Sequence, residues 1–280
     1  QFIEEVIMKL GFVTCVQLGL SCMDAIYKTG GELQVVITLK DNKAKNKSGR
    51  VYLDEFCKNN SIDLVKIDHV NDDDVIKVIK KYNLDWLFII GWSQIASKRL
   101  LNTPRLGVLG MHPTLLPQGR GRASIPWAII KGLEETGVTL FKLDEGVDTG
   151  PILSQYKIPL SNSTTATELY TSVNNAHVSL ITGIIPKMLN ESIKLQEQNS
   201  SYATEWEGRT PTDGEIDLKG SVVTAERLVR ATTKPYPGAF IIVNGKKHIV
   251  WKARLASEHS ENLCLEFKDG LLECVEWELA

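Results

Sequence analysis

Over its first 111 residues the chain alternates short, unbroken apolar runs with segments whose apolar positions recur every three to four residues. Runs of the first kind suit strands buried on both faces, and the second periodicity suits amphipathic helices. Strands are predicted at 11–16, 33–38, 63–67, 85–90 and 108–111. Helices are predicted from Ser21 to the Gly30-Gly31 pair, over 51–58, and behind Asp72, Asp73 and Asp74, whose charges favour a helix N-terminus. Strands alternating with helices at this spacing predict a parallel sheet with helices on both faces.

Met8-Lys9-Leu10-Gly11 reads as a natural start, which sets residues 1–7 apart from the fold. A long helix is predicted over 164–189, and the polar stretch after it reads as a linker. Beyond it come one helical pattern at 224–232 and β-type runs at 239–243, 248–252, 262–267 and 271–276. Asn244-Gly245, between two of these runs, is a hairpin signal because both turn positions need positive φ. The predicted layout is a Rossmann-like α/β unit over 8–189, a linker over 190–204, and a small β unit over 205–280, barrel-like in the manner of an OB fold.

Composition narrows the picture. With 280 residues, 43% hydrophobic and 24% charged, the chain can bury one large core and a small one. Its net charge of -2 supplies no global field toward nucleic acid or anionic membrane. No apolar stretch reaches the roughly 18 residues of a membrane span, and the N-terminus lacks a secretory layout, so a cytoplasmic protein is expected. The five cysteines, Cys15, Cys22, Cys57, Cys264 and Cys274, form no C-x-x-C pair and are read as reduced structural thiols rather than metal ligands. Lys40, Lys43, Lys45, Lys47 and Arg50 read as a solvated basic loop.

Two stretches carry candidate chemistry. Gly110-Met111-His112-Pro113-Thr114-Leu115-Leu116-Pro117, continuing through Arg120-Gly121-Arg122, leaves the end of a predicted parallel strand, where ligands gather in open α/β sheets. Thr136-Gly137-Val138-Thr139 leads through Asp144 to Val147-Asp148-Thr149-Gly150. Alone, a histidine is more often structural, and an aspartate among glycines usually caps a turn. Together at the strand ends of one sheet they can act on a carbonyl.

The order His-x-Thr-Leu-Leu-Pro, Arg-Gly-Arg, Glu-Thr-Gly-Val-Thr and Asp-Thr-Gly resembles the 10-formyltetrahydrofolate-dependent formyltransferases. The likeness is close over 85–154, and Val229-Arg230-Ala231 with Pro235-Tyr236-Pro237-Gly238-Ala239-Phe240 is similar to the C-terminal unit of the tRNA and sugar members. It implies His112 and Asp148 as the catalytic pair, 10-formyltetrahydrofolate as co-substrate and no metal. The pterin would be held by the loops of Gly91, Trp92, Ser93 and Gln94 and of Leu143, Asp144 and Val147, while Thr114, Arg120 and Arg122 would meet the acceptor, the arginines holding phosphate. Where the family usually has an asparagine, two residues before the histidine, this chain has Gly110. Losing one oxyanion donor costs about 2.7 to 4 kcal/mol, and Ser93 or Gln94 is expected to approach that space.

The resemblance implies an amine as acceptor. A glycinamide ribonucleotide enzyme needs no C-terminal β unit, and a tRNA enzyme should spread positive charge there. From Glu205 onward there are ten Lys and Arg against thirteen Asp and Glu, the wrong balance for a phosphate track. The Pro-Tyr-Pro-Gly-Ala-Phe run looks more like the sugar N-formyltransferases, which implies a nucleotide-linked amino sugar, with a 4-amino-4,6-dideoxy sugar preferred. Methionyl-tRNA formyltransferase is the alternative enzyme, and a folate-binding module without turnover is the alternative of another class. The C-terminal unit leaves open a homodimer interface, a second ligand or a cover for the sheet.

Overall fold

The computed structural model describes residues 8–43 and 50–280. Residues 1–7, and Lys45 and Lys47 of the basic run, lie outside the described residues. In chain order β1 (Leu10–Val13), α1 (Gln17–Lys28), β2 (Leu33–Leu39), α2 (Asp54–Asn59), β3 (Asp63–Ile67), α3 (Asp73–Lys81), β4 (Trp86–Ile89), α4 (Lys98–Leu101) and β5 (Gly107–His112) alternate strand with helix. Next come β6 (Arg120–Gly121), α5 (Ser124–Ile130), β7 (Glu135–Lys142), β8 (Ile152–Pro159) and α6 (Ala166–Leu189). The chain ends with β9 (Glu205–Trp206), α7 (Val222–Thr232), β10 (Ala239–Val243), β11 (Lys246–Ala256), β12 (Leu263–Phe267) and β13 (Gly270–Leu279).

The chain forms two compact units that do not follow the expected division at the linker. One holds the described residues up to Arg120 with Val138–Tyr156 and Asn174–Ala203; the other holds Gly121–Gly137, Lys157–Val173 and Thr204–Ala280. The physical reason lies in packing: α5 lies against α7, and Arg230 Nη1 donates to Thr164 O at 2.8 Å. Segments before the linker thereby join the C-terminal strands.

In the sheet of the first unit the strands run β3-β2-β1-β4-β5-β7-β8, and β1 to β5 are parallel neighbours. The sheet is mixed, not wholly parallel, because β7 pairs antiparallel to β5, with His112 opposite Thr139 and Leu109 opposite Lys142. No crossover helix carries the chain back across the sheet between them, since α5 packs in the other unit, so β7 starts at the end where β5 stops. Val13, Val35, Ile37, Leu87 and Val108 meet Ile76 and Ile79 of α3 in a buried core. Helix α1 starts earlier than expected, in a tight turn where a Cβ on Gly19 would lie 1.9 Å from Thr14 Oγ1. Arg50, expected in a solvated loop, instead turns inward and donates to Leu39 O at 3.0 Å and Thr38 Oγ1 at 3.1 Å. Burial pushes the thiols of Cys22 and Cys57 up, to about 12 and about 11.

The second unit curls an antiparallel sheet, β10-β11-β13-β12, as a half-barrel over α7. Val222, Ala225 and Val229 of α7 meet Ile241, Val250, Leu265 and Leu272 there. The β10–β11 turn has positive φ at both Asn244 (50°) and Gly245 (73°), as the dipeptide requires.

On β13, Glu273 is only 3% exposed and accepts from Arg254 Nε at 2.5 Å, Ser260 Oγ at 2.7 Å and Asn262 Nδ2 at 2.7 Å. The Arg254 guanidinium, then Asn262 and Ser260, hold its carboxyl well below the usual range, at about 2. A depressed carboxyl stabilises the fold fully above its unfolded value, about 4.3, and loses that contribution as pH falls through the folded one. Urea unfolding followed against pH should therefore weaken between these values, and Glu273→Gln should flatten that fall; an equal fall in both proteins would contradict it.

Candidate active site

Strand order reverses about β1, which lies between β2 and β4, and β5 is the strand beyond β4; ligands of open α/β sheets usually bind at the carboxyl ends of strands near such a reversal. β5 is buried from Gly107 to Gly110 and delivers His112, 7% exposed, at its carboxyl end. The loop that follows is pinned by β7. Thr139 Oγ1 donates to Thr114 O at 2.7 Å and accepts from Leu116 N at 3.1 Å. Gln155 Nε2 on β8 donates to Leu116 O at 2.8 Å and to Thr139 Oγ1 at 2.9 Å. The loop returns Gly119 O to 2.7 Å from His112 Nε2. A carbonyl only accepts, so Nε2 carries a hydrogen there and the tautomer is set by the backbone. The other ring nitrogen, Nδ1, stands 3.5 Å from Asp148 Oδ2.

Asp148 sits in the left-handed region, φ 54°, a conformation that costs a non-glycine residue about 1 to 3 kcal/mol and needs support from its surroundings. The support is specific. Gln198 Nε2 donates to both Asp148 O and Gly150 O at 2.8 Å. Its Oε1 accepts from Arg120 Nη2 at 2.8 Å and Nε at 3.2 Å. Ile152 and Gln196 exchange two backbone hydrogen bonds of 2.8 Å, which fastens this stretch to β8. At the loop's base a Cβ on Gly150 would lie 1.7 Å from Lys142 O, so glycine alone fits. Asp144 Oδ1 accepts from Gly146 N at 3.1 Å and Thr149 Oγ1 at 2.6 Å, closing the tip.

The remaining residues singled out from sequence fall in different settings. Arg120 is 7% exposed and committed to Gln198 rather than open to a phosphate, whereas Arg122 is exposed. Thr114 is buried, and its hydroxyl has no partner among the described residues. Gln94 turns toward the segment after β3, accepting from Val70 N at 2.8 Å and donating to Asp68 O at 3.3 Å; Ser93, beside it, is exposed. Trp92 packs against Cys15, Leu39 and the core beneath the sheet. Gly91 has φ 66°, and a Cβ there would meet Val16 Cγ2 at 2.4 Å. Leu143 covers Gly110 so closely that a Cβ on Gly110 would lie 2.7 Å from Leu143 Cδ2, and the space of a side chain at 110 is thus filled by leucine. Val147 is 67% exposed at the loop tip.

Sequence reasoning missed Gln198, Thr139 and Gln155. Gln198 lies in a polar run that local pattern assigns to a linker, and only the fold brings it to Asp148. Thr139 carried a usable signal: it is a hydroxyl inside an apolar strand, and buried hydroxyls need partners. Among the described residues there is no group of three or more His, Cys, Asp or Glu able to hold a metal ion, and no helix long and apolar enough to cross a membrane.

A histidine at a strand end, its Nε2 tied to a backbone carbonyl, and a carboxylate on a braced loop are the parts of an acyl-transfer site. The chain belongs to the formyl transferase family, whose N-terminal domain matches residues 19–185 and whose C-terminal domain matches residues 209–271. It is 30% identical over 259 residues to the bifunctional polymyxin resistance protein ArnA of Wigglesworthia glossinidia brevipalpis, a match covering 92% of this chain and 39% of that relative. The chain therefore spans about two fifths of that protein's length. Among solved structures it superposes on the N-formyltransferase from Helicobacter canadensis in complex with folinic acid and dTDP-3-aminofucose, with a TM-score of 0.70, 19% identity and coverage of 95% of this chain and 99% of that one. A 4-N formyltransferase from Francisella tularensis gives a TM-score of 0.68 at 24% identity, covering 86% of this chain and 95% of that one. At these identities the structures speak for the fold.

Proposed function

We propose that the protein transfers the formyl group of 10-formyltetrahydrofolate to the primary amine of a nucleotide-linked amino sugar. The observation that carries this reading is the His112–Asp148 pair at the end of β5, with Nε2 tied to Gly119 O and Nδ1 facing the carboxylate at 3.5 Å. The amine attacks the formyl carbon as the free base, and the new C–N bond places negative charge on the formyl oxygen. Asp148 accepts the proton the amine sheds, directly or through His112 Nδ1. Collapse of the adduct breaks the bond to the folate nitrogen, which leaves with a proton returned from the same pair. Contacts at this separation tighten when substrates are bound.

The acceptor is inferred from two supports. A relative named for polymyxin resistance is 30% identical over the aligned residues, and N-formyltransferases, one of them holding dTDP-3-aminofucose, share the fold; the C-terminal unit carries more acid than base, a poor surface for tRNA. A 4-amino-4,6-dideoxy sugar is the first acceptor to try, its product serving surface-glycan assembly.

The test is release of tetrahydrofolate when purified protein meets 10-formyltetrahydrofolate and a panel of UDP-, dTDP- and GDP-linked 3-amino and 4-amino sugars. Transfer to one of them is expected. Transfer to charged initiator tRNA alone would overturn the acceptor, and folate binding without any transfer would reduce the protein to a binding module.

A further inference from the structure

Within the second unit α7, β11 and the turn that leads into α6 surround a hollow of about 530 Å³, within the ~300 to 1,000 Å³ of small-molecule sites. Val223, Trp251 and Leu255 give it apolar walls. Val223 and Leu255 are exposed there, and the indole of Trp251 is oriented by its Nε1, which donates to Glu278 Oε1 at 3.1 Å.

The charges around the hollow do not balance. Arg230 is spent, its Nε donating to Glu226 Oε1 at 2.6 Å and its Nη1 to Thr164 O at 2.8 Å. The Glu226 carboxylate in the lining is thereby neutralised. Arg254 pairs with the buried Glu273, and Lys252 Nζ stands 3.9 Å from Glu276 Oε1. Arg227 differs from all of these. It is partly buried, and among the described residues it forms no ion pair and donates no hydrogen bond. Its guanidinium is lodged against the backbone of Gly132, where a Cβ would lie 2.4 Å from Arg227 Cζ. Asn162, whose side-chain amide likewise has no partner among the described residues, shares with Arg227 the lining of a small adjoining recess.

An unpaired guanidinium held in one place is a fork that matches a single carboxylate. Acetate or inorganic phosphate would leave Trp251, Val223 and Leu255 in water, so the ligand also carries an apolar body. A polyanion is disfavoured, because β13 sets the exposed carboxylates of Glu276 and Glu278 alongside β11.

We propose that this hollow binds a small organic monocarboxylate, its head on the Arg227 fork with the Asn162 amide beside it and its apolar body against Trp251 and Leu255. The ligand belongs to the second unit alone and takes no part in formyl transfer, so its binding is read without either substrate.

Calorimetric titration of the full chain with indole-3-propionate and with octanoate tests it, their neutral amides, acetate and inorganic phosphate serving as comparisons. At least one of the two carboxylates should bind, and its amide should bind about tenfold or more weakly, the scale of one lost hydrogen bond to a charged group. The aromatic and aliphatic probes show which body the walls prefer. Arg227→Gln should weaken binding by a similar factor. So should Leu255→Glu, which places a like charge in the wall at an exposed strand position and decides the matter if the first variant unfolds. Binding should persist with saturating tetrahydrofolate. Equal affinity for acid and amide, acetate or phosphate bound as tightly as either probe, unchanged affinity in either variant, displacement by tetrahydrofolate, or no binding of either carboxylate would each overturn the assignment.

Discussion

His112→Ala is expected to lower the turnover number for formyl transfer by about 10²- to 10⁴-fold, the usual worth of a positioned acid-base group. Asp148→Asn, which keeps the shape of the side chain and tolerates the left-handed backbone at this position (φ 54°), should cost a comparable factor. The double variant should lose little more than either single one, because groups that pass one proton act as a unit. Single-turnover release of tetrahydrofolate with saturating acceptor is the measurement. Unchanged kcat in both single variants would remove the pair from the chemistry and leave the histidine as a strand-end residue tied to Gly119 O.

A second large effect is expected at Gln198, which touches neither reacting group. Gln198→Ala removes both bonds to the Asp148 loop and leaves the buried Arg120 unpaired. A displacement of about 1 Å at a reacting group can cost about 100-fold, so kcat should fall on that scale with KM less affected. Gln198→Glu separates the two halves of the brace. It keeps an acceptor for Arg120 but presents a carboxylate oxygen to two carbonyls, so it should be as damaging to kcat as alanine while resisting urea better. If Gln198→Glu retains full turnover, the donor bonds to Asp148 O and Gly150 O do not position the carboxylate.

The parts of this structure that could be read from the chain are those fixed by local pattern. Buried parallel strands are nearly continuous apolar runs, and β2 covers its expected residues and one more; the acidic run before α3 marks the start of that helix. The direction of β7 was not legible, because strand orientation depends on where the intervening chain packs, and α5 packs against α7. The site divides in the same way. His112 and Asp148 stand out as motif residues, and the structure brings them together. Arg120, flanked by glycines, looks like a solvent-facing cation; its burial depends on Gln198, 78 positions later, and no local window contains both. Gln94 was expected near the formyl oxygen, but its amide finds two backbone partners beyond β3, a contact set by neighbouring strands rather than by sequence.

The interleaving of the two compact units bears on how such proteins can be recombined. Matches to the family break the chain between residues 185 and 209, and a swap of C-terminal pieces between relatives would be cut there. Such a graft would bring a foreign α7 and half-barrel to the recipient's own Gly121–Gly137 and Lys157–Val173, which in this protein fold with Thr204–Ala280. Those segments include α5 and Thr164, whose partners α7 and Arg230 lie on the other side of the cut. The unit that folds together is therefore larger than the C-terminal domain and discontinuous in the gene, and a graft taking all three stretches from one parent should resist urea better than one cut between residues 185 and 209.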